Sequence, residues 1–152
     1  MRYTILFSIF LFSILMGCNK NKFGTTPTLK FEKVNTKDLH PGETIVFTMS
    51  FTYKGNLTGS LFTQELVAKC DNVTIDSINQ PYPIPSFPAA NDNKGEVTVT
   101  YGYNVSNSTI TGITTPQCSP RNDTAIFRFV LKDNAMHASD TVSSPPIVIY
   151  NQ

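Results

Sequence analysis

Tryptophan is absent from this chain of 152 residues, histidine occurs only twice, and cysteine three times. Two distant histidines and so few cysteines supply too small a ligand set for a zinc site, so no metal or other cofactor is expected. No Gly-x-Ser-x-Gly, His-Glu-x-x-His, P-loop or dinucleotide fingerprint occurs, and sequence spacing sets neither His40 nor His137 beside a nucleophile. The expectation is therefore not an enzyme, with both histidines as solvated turn residues. Charge is sparse as well: 15% of residues are charged and the formal net charge is +1, which leaves no basic footprint for nucleic acid. No apolar run reaches the ~20 residues a membrane-spanning helix needs.

The apolar run that does occur is Ile5 to Met16, broken only by Ser8 and Ser13 and preceded by Arg2. A positive residue followed by about twelve apolar ones has the form of a helical signal peptide rather than a span. It ends in Leu15-Met16-Gly17-Cys18. This resembles the lipobox of bacterial lipoproteins: an aliphatic residue, a tolerant position, a small residue, then the cysteine that takes lipid. The resemblance implies cleavage before Cys18, a diacylglyceryl group on its sulfur, and a membrane as partner through that lipid. Two acyl chains suffice for stable anchoring where one is marginal.

Removing residues 1–17 leaves 135, a one-domain length. Arg2 goes with them, so the mature chain is formally neutral. Residues 18–27 read as a lipidated N-terminus and polar tether reaching at most about 30 Å, and 28–152 as the folded domain. With Cys18 assigned to lipid, Cys70 and Cys118 remain as a pair in an oxidising compartment. Either they form a disulfide, which a chain-entropy model would value at up to about 4 kcal/mol, or they are two buried thiols.

The domain has the period-2 alternation of strands and no amphipathic helix of useful length. In Thr44 to Tyr53, Ile45, Phe47, Met49, Phe51 and Tyr53 share one face. Gly95 to Val105 and Thr124 to Lys132 alternate in the same way, the latter through Phe127, Phe129 and Leu131. Weaker strands are expected at Leu29–Val34, Leu61–Lys69, Asn72–Ile78 and Val142–Tyr150, with a helical turn over Thr63–Lys69 as the alternative. One wet and one buried face per strand points to an all-β, antiparallel β-sandwich of about seven strands, immunoglobulin-like. The missing tryptophan favours the fibronectin-III or cadherin-like variety over the antibody type.

The turn Pro41-Gly42-Glu43, the tail Phe127-Arg128-Phe129-Val130-Leu131-Lys132-Asp133-Asn134 and Ser139-Asp140-Thr141-Val142 together resemble small lipoproteins of Bacteroidota-type bacteria. Their single domain is immunoglobulin- or cadherin-like, and the resemblance implies an envelope location rather than a reaction. Relatives often carry acidic, calcium-binding loops. Here Tyr53-Lys54-Gly55-Asn56-Leu57 has no carboxylate, whereas Asp133, Asn134 and Asp140 remain in the second loop, as turn formers or as calcium ligands. Three Asp-Ser/Thr-aliphatic tripeptides resemble the O-glycosylation acceptors of such bacteria, at Ser77, Thr124 and Thr141; Asx turns opening strands are the alternative.

The sequence offers one candidate binding surface, Gln80 to Pro88. Its prolines favour an extended polyproline-II path displaying Tyr82 and Phe87 to a partner or a sugar; otherwise it is a rigid connector. Partners expected on this reading are an envelope protein or a glycan, the latter as an accessory to polysaccharide uptake. The basic Asn19-Lys20-Asn21-Lys22 after the cysteine lacks the acidic residues of surface-exported lipoproteins, which gives an outer-membrane address facing the periplasm.

Overall fold

The computed structural model describes residues 26–55, 57–68, 74–85, 93–107, 109–114, 116 and 120–151. Among them there is no helix. The strands are β1 Thr28–Val34, β2 Asp38–Leu39, β3 Thr44–Tyr53, β4 Gly59–Ala68, β5 Thr74–Ile84, β6 Asn93–Gly102, β7 Thr111–Gly112, β8 Asp123–Asp133, β9 Val142–Ser143 and β10 Ile147–Ile149. The first sheet runs β1-β3-β6-β7; the second runs β2-β10-β8-β4-β5, with β9 on β8. The two pack on one core, an arrangement consistent with a β-sandwich.

The core is built from the alternation seen in the sequence. Ile45, Phe47, Met49 and Phe51 of β3 are buried, and so are Val99 and Tyr101 of β6 and Phe127, Phe129 and Leu131 of β8. Phe47 joins the sheets, its ring centroid 4.6 Å from that of Phe127 and 5.3 Å from that of Phe129. Two polar links cross the same core. The Tyr101 hydroxyl donates to Thr63 Oγ1 at 2.7 Å, and Glu65 Oε2 accepts from the Thr114 N–H at 3.1 Å. Burial pushes the Tyr101 phenol well above its ordinary range.

Turn chemistry places the strand ends. Pro41 and Gly42 occupy the centre of a turn closed by Glu43 N–H to His40 O at 3.1 Å, with Gly42 at φ 87°. That is proline at the second position and a positive-φ glycine at the third. Asn35 ends β1: its side chain accepts from Val46 N–H at 2.7 Å and donates to Thr44 O at 3.2 Å. The chain then crosses to the other sheet as β2.

Several expectations need correction. The sheets are mixed: β2 runs parallel to β10, and β7 parallel to β6. Both are two-residue pairings made where the chain changes sheets, and no local pattern marks them. Among the described residues, strands of three or more residues number seven, and the three two-residue strands β2, β7 and β9 bring the total to ten. β6 stops at Gly102 because Asn104 turns the chain with φ 50°. The helical alternative fails for Thr63–Ala68, which pairs with β8 and β5. Val142–Tyr150 is two strands, split at Ser144-Pro145-Pro146 where the prolines break the ladder. The signal peptide, Cys18, Cys70, Cys118 and Phe87 lie outside the described residues.

Gly59 opens β4 against β8, and a Cβ there would sit 2.0 Å from Lys132 O and 2.8 Å from Asp133 Cα. Backbone cannot move aside as a side chain can. Gly59→Ala is expected to splay this end of the sheet and cost about 1–3 kcal/mol, read as a lower urea midpoint.

Candidate functional site

One side of the two-sheet stack is closed, because β9 lies against β1. Among the described residues the opposite side is open between β5 of one sheet and β6 of the other. A cleft of about 390 Å³ lies there, within the range of ligand sites. Phe51, Leu61, Tyr82, Ile84, Val97 and Val99 line it with apolar surface, and Pro83, Pro85, Glu96, Thr98 and Thr100 form its rims. The Phe51 ring spreads over Gly95, where a Cβ would meet it at 2.8 Å. A glycine at that position lets the aromatic ring lie flat across the strand and form part of the floor.

Tyr82 stands on the β5 wall, half-buried, with its hydroxyl donating to Thr111 Oγ1 at 3.1 Å. The bond ties the second sheet to β7 of the first. Tyr82 is thus packed into the cleft wall rather than standing out on an extended arm. The polyproline-II expectation is overturned for residues 80–84. Pro81 pairs with Phe62 and Pro83 with Ser60, so the segment continues β5 along the edge of the sheet. Proline cannot donate to a ladder, so the ladder to β4 runs through Gln80, Tyr82 and Ile84. Pro81 and Pro83, two apart, turn their donor-less nitrogens to the open edge.

A second cluster lies at the end of β8. The Asp133 carboxylate is buried and accepts three hydrogen bonds: from His137 N–H at 2.8 Å on Oδ1, and from the Tyr53 hydroxyl at 3.2 Å and the His137 ring at 2.9 Å on Oδ2. Burial alone would push this carboxyl up; the bonds from His137 and Tyr53 outweigh it and hold it below the ordinary carboxylate range. The same burial, with the neighbouring carboxylate, pushes the Tyr53 phenol up. Asn134 donates from its side chain to Thr58 Oγ1 at 2.9 Å, and Asp140 is exposed. These residues hold a turn, with Met136 at its tip in a positive-φ conformation. Among the described residues no group of three His, Cys, Asp or Glu is placed to hold a metal ion.

No family model matches the chain, and no curated protein matches it. Solved structures give distant likenesses. An alkylpurine DNA glycosylase AlkC of Pseudomonas fluorescens, bound to DNA containing an abasic-site analogue, aligns over 84% of this chain with 9% identity and a TM-score of 0.47. This chain spans about a third of that protein, 31% of its length. A Niemann-Pick type C2 protein from Japanese carpenter ant aligns over 82% of this chain and 94% of its own, with 13% identity and a TM-score of 0.44. The sporulation control protein Spo0M of Bacillus subtilis gives 84% and 50%, 10% identity and 0.41. At these scores the likenesses carry no functional argument.

The remaining sequence candidates are scattered. Thr124 and Thr141 are both exposed, so their hydroxyls are accessible. Ser77 lies in β5, its side chain outside the described residues. His40 is exposed and stacked on Tyr150 at 4.2 Å, far in sequence and role from the Asp133–His137 pair. The cleft residues Glu96, Thr98 and Thr100 were not legible as a site. They sit in an ordinary alternating strand, and only the placement of β5 and β6 at facing edges of the two sheets brings them beside Tyr82 and Ile84.

Proposed function

We propose that this chain is a lipoprotein of the bacterial cell envelope whose domain is a non-catalytic, immunoglobulin-like binding module. The observation that carries the binding half is the apolar cleft between β5 and β6, bounded among the described residues by the outer edge of β5 and by the Asn93–Thr100 stretch of β6 that β7 does not reach. Glu96 and Tyr82 alone among the lining residues are titratable, and the Glu96 side chain is exposed, a composition suited to holding a partner rather than to acid–base chemistry. Support for the immunoglobulin-like topology comes from the strand order. β1-β3-β6 facing β2-β10-β8-β4-β5 follows the order A-B-E facing A′-G-F-C-C′ of such domains.

The anchoring half rests on Leu15-Met16-Gly17-Cys18, with the protein on the outer membrane and facing the periplasm. In a bacterium that acylates lipoproteins, the wild-type chain is expected in the detergent phase of a Triton X-114 extract, carrying palmitate label. Cys18→Ala is expected to abolish the label completely. Unlabelled wild-type protein in the aqueous phase would end the anchoring reading. Removal of the domain by protease shaving of intact cells would reverse the orientation.

A further inference from the structure

The exposed edges of this protein are not treated alike. β1 carries Lys30 and Lys33 and a register shift between Phe31 and Lys33, a bulge that spoils further pairing. β2 is two residues long. β5 presents Pro81 and Pro83. Charged residues, bulges, short strands and prolines are the devices by which sheets avoid edge-to-edge association. β6 has the fewest. It runs ten residues as Asn-Lys-Gly-Glu-Val-Thr-Val-Thr-Tyr-Gly, and β7 covers only Tyr101 and Gly102. Among the described residues, Asn93 to Thr100 have no neighbour on the outer side.

Hydrogen bonds at the end of the strand show which residues face that open side. Ile113 N–H donates to Gly102 O at 3.0 Å from the β7 side, and Tyr103 N–H donates to Glu43 O at 2.9 Å on the β3 side. Backbone groups alternate along a strand, so Lys94, Glu96, Thr98 and Thr100 aim their N–H and C=O groups outward. The side chains of Val97 and Val99 turn into the cleft beneath the same edge. Outward backbone groups at strand spacing above an apolar trough match one kind of ligand, an extended polypeptide.

We propose that β6 is a strand-addition site. An extended segment of a partner protein pairs with Glu96–Thr100 and drops alternate apolar side chains between Val97 and Ile84. A basic residue of the partner faces Glu96 on the outer surface of the sheet. This inference rests on the reading of the cleft as the binding site. An aliphatic chain would fill the trough but leave the outward N–H groups to water. A second copy fits less well. Two β6 strands paired about a twofold axis run in opposite directions, which sends the two N-termini to opposite ends. Thr28, Thr52 and Lys94 lie in one row at a single end of the sheet, so each tether leaves from that end. A tether of residues 18–25 reaches at most about 26 Å, less than the roughly 33 Å that ten strand residues span, which opposes anchoring both copies on one bilayer when the strands stand upright on it.

The test uses the full lipidated chain in phosphatidylethanolamine nanodiscs and a phage-displayed library of random twelve-residue peptides. Selected peptides are expected to alternate apolar and polar residues and to slow amide exchange at Glu96, Thr98 and Thr100. Thr98→Pro removes an outward donor without touching the β3 ladder and is expected to weaken them at least tenfold. The exchange measurement on wild type stands even where that variant folds poorly. Peptides that bind without protecting those amides overturn the inference. If no peptide binds but the protein extracts phospholipid from the discs by mass spectrometry, strand addition fails while the cleft remains a binding site. Self-association that Thr98→Pro abolishes makes the occupant a second copy and overturns it as well. If neither peptide nor lipid is held, the binding reading fails too.

Discussion

Replacing Phe47 with alanine is expected to cost about 3–5 kcal/mol of unfolding free energy. Phe47 is fully buried at the centre of β3, and its ring meets Phe127, Phe129 and Tyr101 at centroid distances of 4.6, 5.3 and 6.2 Å. Those three aromatics come from two different sheets, so the cavity left by truncation opens at the seam between them. Neither sheet can close it alone without shifting its register. Val46, the next residue, is only partly buried and belongs to the other face of β3. Val46→Ala is therefore expected to cost under about 1 kcal/mol. Urea unfolding of the two variants measures the contrast through the midpoint at unchanged slope. Equal losses would mean that the strand does not present Phe47 to the core.

That contrast was legible in the sequence because alternation is a local property. Ile45, Phe47, Met49 and Phe51 are two apart, and a strand must put them on one side. The same reasoning located β6 and β8 to within two or three residues of their observed ends. It failed where the deciding fact was distant. Pro81 and Pro83 read as a break in strand structure, and they are tolerated because β5 ends its sheet, a position no local window contains. The two-residue strand β2 owes its existence to β10, more than a hundred residues away, and β7 to a loop that folds back on β6 ten residues earlier.

The candidate site was legible along its β5 wall and hidden on the β6 side. Tyr82 stood out through the prolines around it, and it does line the cleft, though as wall rather than as a displayed ring. Glu96, Thr98 and Thr100 looked like the wet face of an ordinary strand. Their interest lies in the backbone edge beside them, and edge position depends on topology. Asp133 was visible as a turn former, yet its partner Tyr53 lies 80 residues away in sequence.

That pairing should make the stability of the protein depend on acid. In the folded chain Asp133 is held below the ordinary carboxyl value of 3.8 by His137 and Tyr53, against the opposing effect of burial. The unfolded chain, with an ordinary carboxyl, takes up its proton first as pH falls. The stabilisation is therefore complete above 3.8 and is lost as pH drops from there through the folded value. Asp133→Ala removes three hydrogen bonds to a buried carboxylate and leaves the Tyr53 hydroxyl and the His137 N–H without their acceptor. The expected cost at neutral pH is about 3 kcal/mol, of the order of one or two charge-assisted bonds after solvent exchange. Asp133→Asn keeps an acceptor and should lose less, while flattening the acid response. Urea midpoints of wild type and both variants, taken from neutral pH into the range below 3.8, give the test. Wild type and variants are expected to converge at the acid end. Parallel curves would show that the ionised carboxylate is not what fastens the loop after β8 to the end of β3.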